Sequence, residues 1–122
     1  MPPVQIEDML VKKKDSVKEI GTKECSVWDY RLPEKDLGIS VQKITSRFPK
    51  TGWSRNSVCK EVCFILSGSG IVCVENKAHK VSRGDVVVIN PGEKSYAKAK
   101  SMEILVVTSP DWYPDQCEFL EK

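Results

Sequence analysis

Short runs of β-branched and aromatic residues, separated by Gly, Pro, Ser and Asn, dominate the chain from about residue 39 onward. Six of these runs have the length and composition of strands: Ile39–Phe48, Val58–Leu66, Ile71–Asn76, Lys80–Ser82, Asp85–Asn90 and Met102–Thr108. No window of useful length has the apolar spacing of an amphipathic helix. Several short strands at regular spacing are typical of a β-sandwich or β-barrel, so the pattern predicts an all-β fold.

The segments between the predicted strands carry turn residues. Phe48–Gly52 (FPKTG) supplies a Pro and a Gly, and Asn90–Lys94 (NPGEK) contains a Pro-Gly pair. Ser67–Gly70 (SGSG) and Ser82–Asp85 (SRGD) are predicted to form tight hairpins, because Gly adopts the positive φ values that hairpin turns need.

The first 38 residues are less regular than the rest of the chain. Val4–Leu10 has the composition of an edge strand or a short helix, Cys25–Arg31 that of a further strand, and Leu32–Gly38 that of a loop. We interpret residues 1–38 as an N-terminal extension with edge strands. Because 122 residues suffice to build one hydrophobic core, residues 1–122 are predicted to form a single domain.

Charge and cysteine content limit the expected partners and compartment. Nineteen basic and seventeen acidic side chains leave a formal net charge of +2, too near neutrality to indicate nucleic acid or an anionic membrane as a partner. No apolar stretch reaches the roughly 18 residues of a membrane span, and the start of the chain lacks a signal-peptide pattern. The odd number of cysteines, five, disfavours a secreted disulfide framework. We therefore expect a cytoplasmic protein with free thiols.

Two segments resemble the sequence motifs of a known family. Gly52–Gly68 (GWSRNSVCKEVCFILSG) resembles the first cupin motif, G-x5-H-x-H-x3,4-E-x6-G, and Gly84–Ser95 (GDVVVINPGEKS) resembles the second, G-x5-P-x-G-x2-H-x3-N. Glu61 and Gly92 fall in register with these motifs. The resemblance implies a small, single-domain bacterial cupin of the RmlC-like type, whose fold is a jelly-roll barrel, the double-stranded β-helix.

The histidines that hold a metal ion in most cupins are replaced in this chain. The first two fall at Ser54 and Asn56, or at Arg55 and Ser57, depending on the spacing before the motif glutamate, and the third falls at Ser95. The family site combines three imidazoles with one carboxylate, a set of ligands that suits divalent transition metals. Since only the carboxylate remains, we expect a metal-free protein with no cofactor.

The C-terminal segment Ser109–Gln116 (SPDWYPDQ) resembles the end of a group of small bacterial cupins in which a strand leads into Ser/Thr-Pro-x-Trp. In that group an Asn followed by Lys-Glu also replaces the histidines, as Asn56, Lys60 and Glu61 do here. Trp112 is expected to close one end of the barrel or to contact a partner subunit.

Glu61 lies in the middle of an otherwise apolar predicted strand. Alternation places Glu61 on the same strand face as Cys63 and Ile65, and both faces of the strand are largely apolar. A buried carboxylate must be paired, protonated or held for a ligand. Two interpretations stay open. Glu61 either contacts a ligand inside the barrel or forms a structural salt bridge, for which the candidates are Arg47, Arg55 and Lys94.

Cysteine and histidine do not indicate a second site. Cys59 and Cys63 are four strand residues apart, about 13 Å, which is too far for a shared zinc ion or a disulfide. Cys63 and Cys73 are cross-strand neighbours across the Ser67–Gly70 turn in one register and lie on opposite faces in another. His79, the only histidine, lies in a polar hairpin and is expected at the surface.

The sequence thus predicts a metal-free cupin that binds a small polar molecule inside its barrel. The expected ligand-binding residues are Glu61, Asn56, Tyr96, Ser95 and Arg47. Two alternatives stay open: a metal-independent isomerase or epimerase with Glu61 as general base, and a non-catalytic dimerisation or sensor module. A second inner base would favour the enzyme, and the sequence shows none. A homodimer is expected, because cupins commonly dimerise and an exposed edge strand needs covering.

Overall fold

The computed structural model describes residues 17–121, Leu10 and Lys12, with the backbone alone for residues 17–21. These residues form ten strands: β1 (Val17–Gly21), β2 (Cys25–Tyr30), β3 (Gly38–Ile44), β4 (Arg47–Phe48), β5 (Trp53–Asn56), β6 (Lys60–Val74), β7 (Lys77–Ser82), β8 (Val86–Ile89), β9 (Lys94–Ser109) and β10 (Cys117–Leu120). A short 3-10 helix at Pro114–Gln116 precedes β10. Nothing in this part of the chain is a helix of the length and hydrophobicity required to cross a bilayer.

Two long antiparallel strands, β6 and β9, form the centre of the fold. They pair with each other from Lys60 opposite Ser109 to Val74 opposite Ser95. β6 also pairs with β7 and β8, while β9 also pairs with β3, β4 and β5. Because each long strand has different partners along its length, the sheet curls around one core. The prediction of an all-β fold is confirmed.

The predicted strands correspond to observed ones, with changes at their ends. The run Ile39–Phe48 is divided by the bend at Thr45 and Ser46 into β3 and β4, and the predicted strand Met102–Thr108 is the second half of β9. β2 confirms the strand predicted at Cys25–Arg31, and the loop expected before β3 is present. The prediction for Val4–Leu10 lies outside the described residues, except for Leu10, which belongs to no helix or strand.

The hairpin predicted at Ser67–Gly70 is wrong, because β6 runs through this segment without turning. The pairing of β6 with β9 shifts register between Ile65 and Ser67 and again between Ser69 and Ile71, which is the signature of β-bulges. Both glycines are needed for close approach. A Cβ on Gly68 would lie 2.1 Å from a β9 carbonyl oxygen, and one on Gly70 would lie 2.5 Å from another. Here glycine marks a bulge in a strand pair and not a turn.

The turn predicted at Ser82–Asp85 is present, but it does not close a hairpin. The N–H of Asp85 donates to the carbonyl of Ser82 at 3.0 Å, and the N–H of Ser82 donates to the Asp85 carboxylate at 2.8 Å. The flanking strands β7 and β8 do not pair with each other. Each pairs with a different half of β6, so the turn carries the chain from one half of that strand to the other.

The inward faces of the strands form one hydrophobic core. Its buried members are Cys25, Val27, Ile44, Cys63, Ile65, Val72, Val81, Ile89, Met102, Ile104 and Val106. All five cysteines are free thiols. Cys63 and Cys73 lie on the same strand, so they are not the cross-strand neighbours that a hairpin would have made them. His79 is exposed on β7, as predicted.

Candidate functional site

The curled sheet encloses a cavity of about 130 Å³. A water molecule needs roughly 10 to 15 Å³ of such space, so the cavity is large enough for a small organic molecule. Apolar core residues form part of its wall. The polar part of the wall consists of Asp29, Ser40, Gln42, Ser54, Asn56, Glu61, Ser95 and Thr108.

Glu61 and Asn56 meet at this cavity because β5 ends where β6 begins. Asn56 is the last residue of β5, and Glu61 is the second residue of β6. The Asn56 amide Nδ2 donates a hydrogen bond to Oε1 of Glu61. The Cys63 thiol, two residues along the same face of β6, lies 3.8 Å from Oε2. Both contacts place a donor on the carboxyl group.

The C-terminal segment orients Asn56 from its other side. The Trp112 indole Nε1 donates to Oδ1 of Asn56 at 3.1 Å, and Nε2 of Gln116 donates to the same atom at 2.9 Å. Oε1 of Gln116 accepts from the backbone N–H groups of Val58 and Cys59, at 3.2 and 3.1 Å. Because Oδ1 of Asn56 accepts from both residues, its amide group must point toward Glu61.

Burial sets the protonation of this group of side chains. Desolvation raises the pKa of Glu61 above its ordinary value of 4.5, and the hydrogen bonds from Asn56 and Cys63 oppose the rise without cancelling it. Desolvation and the nearby Glu61 raise the pKa of Cys63 well above its ordinary range. Burial and Glu61 also raise the pKa of Cys117, whose side chain borders the cavity, to about 11. The thiols are therefore protonated at neutral pH.

Thr108 is the second polar group at this end of the cavity. It lies directly opposite Glu61 in the β6–β9 pairing, so the two side chains are neighbours on the inner face. The Thr108 hydroxyl is buried and has no hydrogen-bond partner within the described part of the chain. A buried polar atom without a partner is uncommon, so this hydroxyl keeps a hydrogen-bonding capacity that no described residue satisfies.

The residues of the two possible alignments of the first motif are placed differently in the structure. Ser54 and Asn56 line the cavity, whereas Arg55 forms an ion pair with Glu118 at 3.1 Å and Ser57 is an exposed residue of the following loop. Ser54 and Asn56 therefore face the cavity, as the motif histidines would in the first of the two alignments. Ser95 lines the cavity at the third position.

The expected salt bridge of Glu61 is not formed with any of its three candidates. Arg55 pairs with Glu118, and the Lys94 ammonium lies 4.6 Å from the centre of the Trp53 ring. Arg47 donates to the backbone carbonyls of Pro49 and Gly52, at 2.7 and 3.0 Å. Among the described residues, Glu61 has hydrogen-bond donors and no cation beside it.

Arg47 and Tyr96 are placed differently from the other predicted site residues. Tyr96 borders the cavity, but its neighbours Ser95 and Ala97 face inward, so alternation directs its ring to the other side of β9. There the Arg47 guanidinium lies 4.0 Å above the ring and Trp53 packs against it at 5.2 Å. Arg47 is not part of the cavity wall. Direct contact of Arg47 or Tyr96 with a ligand therefore stays a prediction, for which Tyr96 is the better placed of the two.

Two phenylalanines mark an opening of the cavity. Phe48 and Phe119 line it and pack edge to face, with ring centres 6.2 Å apart. Phe119 is 62% exposed, so the cavity reaches the protein surface beside this ring. Trp112 lines the cavity as well as bonding to Asn56, which fits its expected position at an end of the barrel.

Comparison with known proteins places this chain in a family. A profile of the cupin domain matches residues 43–109, more than half of the 122 residues. The chain belongs to the cupin family. The prediction of a small cupin with a jelly-roll barrel is confirmed. No match was found among curated proteins.

Solved structures of other cupins share this fold at low sequence identity. Pac13 from Streptomyces, described as a nucleoside dehydratase, superposes with a TM-score of 0.82 and 12% identity over 92% of this chain and 90% of its own. A uridine-bound Pac13 variant gives a TM-score of 0.81 at 12% identity, over 91% of this chain and 89% of that one. The cupin domain of Schizosaccharomyces pombe Cnp3 gives 0.64 at 12% identity, over 74% of this chain and 67% of that one. These likenesses show the fold alone.

The donor set of this cupin does not fit the metal site that the family implies. The residues beside Glu61 on the cavity wall include Ser54, Asn56 and Ser95 and no histidine among those described, and Asn56 presents an amide NH₂ group to the carboxylate. An amide nitrogen donates a hydrogen bond and is not a metal ligand. Within residues 17–121, Leu10 and Lys12, no three His, Cys, Asp or Glu side chains come together to hold a metal ion.

Proposed function

We propose that this cupin binds a small, uncharged or cationic polar molecule in its barrel cavity, through Glu61, Asn56, Ser95 and Thr108. The observation that carries the proposal is the Thr108 hydroxyl, buried on the cavity wall beside Glu61 without a partner in the described residues. A carboxylate has about four lone-pair sites, and Asn56 and Cys63 occupy two of them. The remaining sites and the hydroxyl together suit a ligand hydroxyl or N–H group.

The charge of the cavity supports an uncharged or cationic ligand. Two carboxylates, Glu61 and Asp29, are part of its wall, and no Lys, Arg or His is among the described residues that line it. Phosphate and carboxylate groups would meet like charge there without a cation to offset it. Hydroxyl and ammonium groups would find acceptors.

The aromatic opening supports a ligand that contains a planar ring. Phe48 and Phe119 offer flat apolar surfaces at the cavity mouth, and offset stacking on such rings stabilises planar groups. A structure of a Pac13 variant, which has the same fold, has been solved with uridine. A nucleoside combines a planar ring with neutral hydroxyl groups, so uridine is the first probe for this cavity.

Titration calorimetry with uridine and uridine monophosphate tests the proposal. We expect uridine to bind and the monophosphate to bind at least tenfold more weakly. Thr108→Val keeps the shape of the side chain and removes its hydroxyl. This change should weaken uridine binding by about five- to tenfold, the value of one neutral hydrogen bond, without lowering the melting temperature.

Thr51→Val is the matched control, because Thr51 lies in the exposed turn before β5. It should leave both binding and stability unchanged. If the panel is extended to other nucleosides and to sugars and none of them binds, or if Thr108→Val binds uridine as tightly as the unaltered protein, the proposal is wrong.

A metal-independent enzyme is the second candidate, and Asp29 favours it. Asp29 is a second carboxylate on the cavity wall, carried by β2 on the far side of β3 and β9 from Glu61. It forms an ion pair with Arg31 at 3.7 Å, whereas desolvation raises the pKa of Glu61. Two carboxyl groups in different environments are suited to act as base and acid.

Proton NMR of a bound compound over time distinguishes an enzyme from a binding protein. For an enzyme, Asp29→Asn should abolish conversion of the compound while the variant still binds it. A bound compound that stays unchanged for days with the unaltered protein would rule out this second candidate. For either function we propose a cytoplasmic location, which the five free thiols support.

A further inference from the structure

We propose that the outer surface of the barrel carries a second binding site, for single-stranded nucleic acid. This surface surrounds the first half of β9 and combines cationic side chains with two aromatic rings. We call it the basic face, and its members are Arg47, Trp53, Lys80, Lys94, Tyr96 and Lys98. The net charge of +2 does not indicate such a partner, but a net charge is a sum over the whole chain and does not describe where the cations lie.

Alternation along β9 directs one lysine-rich side of the strand outward. Ser95 lines the cavity and Ala97 packs against the core. Side chains alternate along a strand, so Lys94, Tyr96 and Lys98 point away from the cavity. The basic face therefore lies on the opposite side of the sheet from the site described above.

Lys98 lies in a row of cations that crosses four strands. It pairs with Arg47 on β4 and with Ile71 on β6, and Ile71 pairs in turn with Lys80 on β7. Neighbouring strands are about 4.8 Å apart, so Arg47, Lys98 and Lys80 lie within about 15 Å of one another. Lys80 and Lys98 are exposed. Cations grouped in this way attract phosphate groups.

Two aromatic rings lie beside this row. The rings of Tyr96 and Trp53 pack edge to face, with centres 5.2 Å apart. The Arg47 guanidinium lies 4.0 Å from the centre of the Tyr96 ring, and the Lys94 ammonium lies 4.6 Å from the centre of the Trp53 ring. Both rings are half-buried, so packing fixes them between the cations. The basic face thus presents groups that bind phosphates next to groups that stack on bases.

Carboxylates lie at one margin of the basic face. Glu118 forms an ion pair with Arg55, which pairs with Lys94 in the sheet, at 3.1 Å. Glu75 accepts a hydrogen bond from the backbone N–H of Lys94 at 3.0 Å. Lys94 and Lys98 are four strand residues apart, about 13 Å. The row of cations at Lys98 is therefore separated from these two carboxylates, which do not offset its charge.

Single-stranded nucleic acid is the partner that matches both features. Its phosphates complement the cations, and its bases can stack on aromatic rings or on an Arg guanidinium plane. In a double helix the bases are stacked on one another and cannot reach the rings of this face. An anionic membrane offers no bases, and its binding draws on apolar side chains that insert at the interface, whereas Trp53 and Tyr96 are half-buried.

Fluorescence anisotropy of a labelled oligothymidylate of about 20 nucleotides measures this binding. We expect binding at about 50 mM salt that weakens as salt is added, with a slope of log K against log[salt] of about −2, since each of three cations releases about 0.7 counterions. Lys98→Glu should weaken binding at least about fivefold, and Trp53→Leu should do the same because stacking is lost. A strand of equal length without bases should bind at least about tenfold more weakly.

Lys60→Glu is the matched control, because it makes the same change in net charge at an exposed position, where β6 begins and pairs with the end of β9. It should leave binding unchanged. Circular dichroism shows whether each variant is folded, and excess uridine in every sample keeps single bases of the strand out of the cavity. Three results would each overturn the proposal: no binding at about 50 mM salt, a folded Lys98→Glu variant with unchanged affinity, or equal binding to the strand without bases or to phosphatidylserine vesicles.

Discussion

The substitution Glu61→Gln separates the stability of the fold from the function of the cavity. Glutamine keeps the shape of the side chain, and its Oε1 still accepts the hydrogen bond from Asn56. The charge alone is removed. Because no described cation pairs with Glu61, the change leaves no buried cation without a partner, and we expect the fold to tolerate it.

The expected change in the free energy of unfolding on Glu61→Gln is the sum of two opposing contributions. Removing a buried carboxylate recovers its desolvation penalty, at least about 1 to 3 kcal/mol. Converting one charge-assisted hydrogen bond to a neutral one loses about 1 kcal/mol, and the 3.8 Å thiol contact adds little. The expected net change at neutral pH is a stabilisation of about 1 kcal/mol, or roughly 4 °C in melting temperature for a domain of this size.

The raised pKa of Glu61 also determines how the stability of the fold depends on pH. The pKa of Glu61 in the folded protein is raised above 4.5, so between the two values the folded state binds a proton that the unfolded state has released. Stability from this group is present at low pH and is lost as pH rises through the folded-state pKa, by about 1.4 kcal/mol per unit of difference. The advantage of Glu61→Gln should therefore be small near pH 4 and grow toward neutral pH.

Urea denaturation of both proteins from pH 4 to pH 8 measures this difference. Glu103→Gln, an exposed glutamate on the outer face of β9, is the control and should match the unaltered protein at every pH. A loss of 3 kcal/mol or more in Glu61→Gln at neutral pH would refute the reasoning. A loss of that size is the effect of breaking a buried salt bridge, and it would mean that Glu61 has a cationic partner.

Four further predictions test other parts of the structure. Gln116→Ala should destabilise the fold by roughly 2 to 5 kcal/mol in urea, because it leaves two backbone N–H groups unpaired, whereas the exposed neighbour Asp115→Ala should change stability by less than about 0.5 kcal/mol. His79→Ala should not change the melting temperature or uridine affinity, and a tenfold loss of affinity, about 1.4 kcal/mol, would place this histidine in the site. Thiol titration should find five reactive groups in denaturant and at most one in the folded protein. Burial protects the thiols of the folded protein, and it raises the pKa of Cys25 to about 12 and that of Cys117 to about 11. A count of three or fewer in denaturant would reveal a disulfide. Elemental analysis after gel filtration should find no stoichiometric transition metal, and about one ion per chain would contradict the expected absence of a metal site.

Most strands of the barrel can be predicted because their signals are local. Alternation and flanking turn residues indicate β2, β3, β8 and the second half of β9 without knowledge of the fold. The short strands β5 and β10 are not predicted, because both are brief and carry polar residues. Their pairing joins Asn56 to Cys117, a contact between distant parts of the chain that no local pattern encodes.

The SGSG segment shows how one local signal fits two structures. Glycine supplies positive φ for a hairpin, and it also leaves room where two backbones approach closely. Gly68 has a φ of +78°, which both structures allow. Only the pairing with β9, more than thirty residues later in the chain, selects the bulged continuous strand. The sequence alone therefore cannot tell a turn from a bulge at this position.

The candidate site contains residues that the sequence predicts and residues that only the fold brings there. The cupin motif places Glu61, Asn56 and Ser95 together, and the structure brings all three to one cavity. Thr108 and Asp29 come to that cavity through strand pairings that the motifs do not specify. Gln116 lies in the SPDWYPDQ segment noted for its resemblance to other cupins, but the sequence does not show that its amide bonds to Asn56, 60 residues earlier.

Replacement of a motif histidine by asparagine changes what the site can do, because the two side chains present different atoms to Glu61. A metal-binding imidazole offers a lone pair, so an imidazole and a carboxylate converge on a cation. The Asn56 amide offers an N–H group to the carboxylate, and two donors, Trp112 and Gln116, fix this orientation from behind. The carboxylate is then stabilised by hydrogen bonds instead of a cation, and burial raises its pKa above the ordinary value. A site of this kind can accept hydrogen bonds or exchange a proton with a ligand. The C-terminal segment that holds Asn56 in place thus belongs to the site as much as the cupin motifs do.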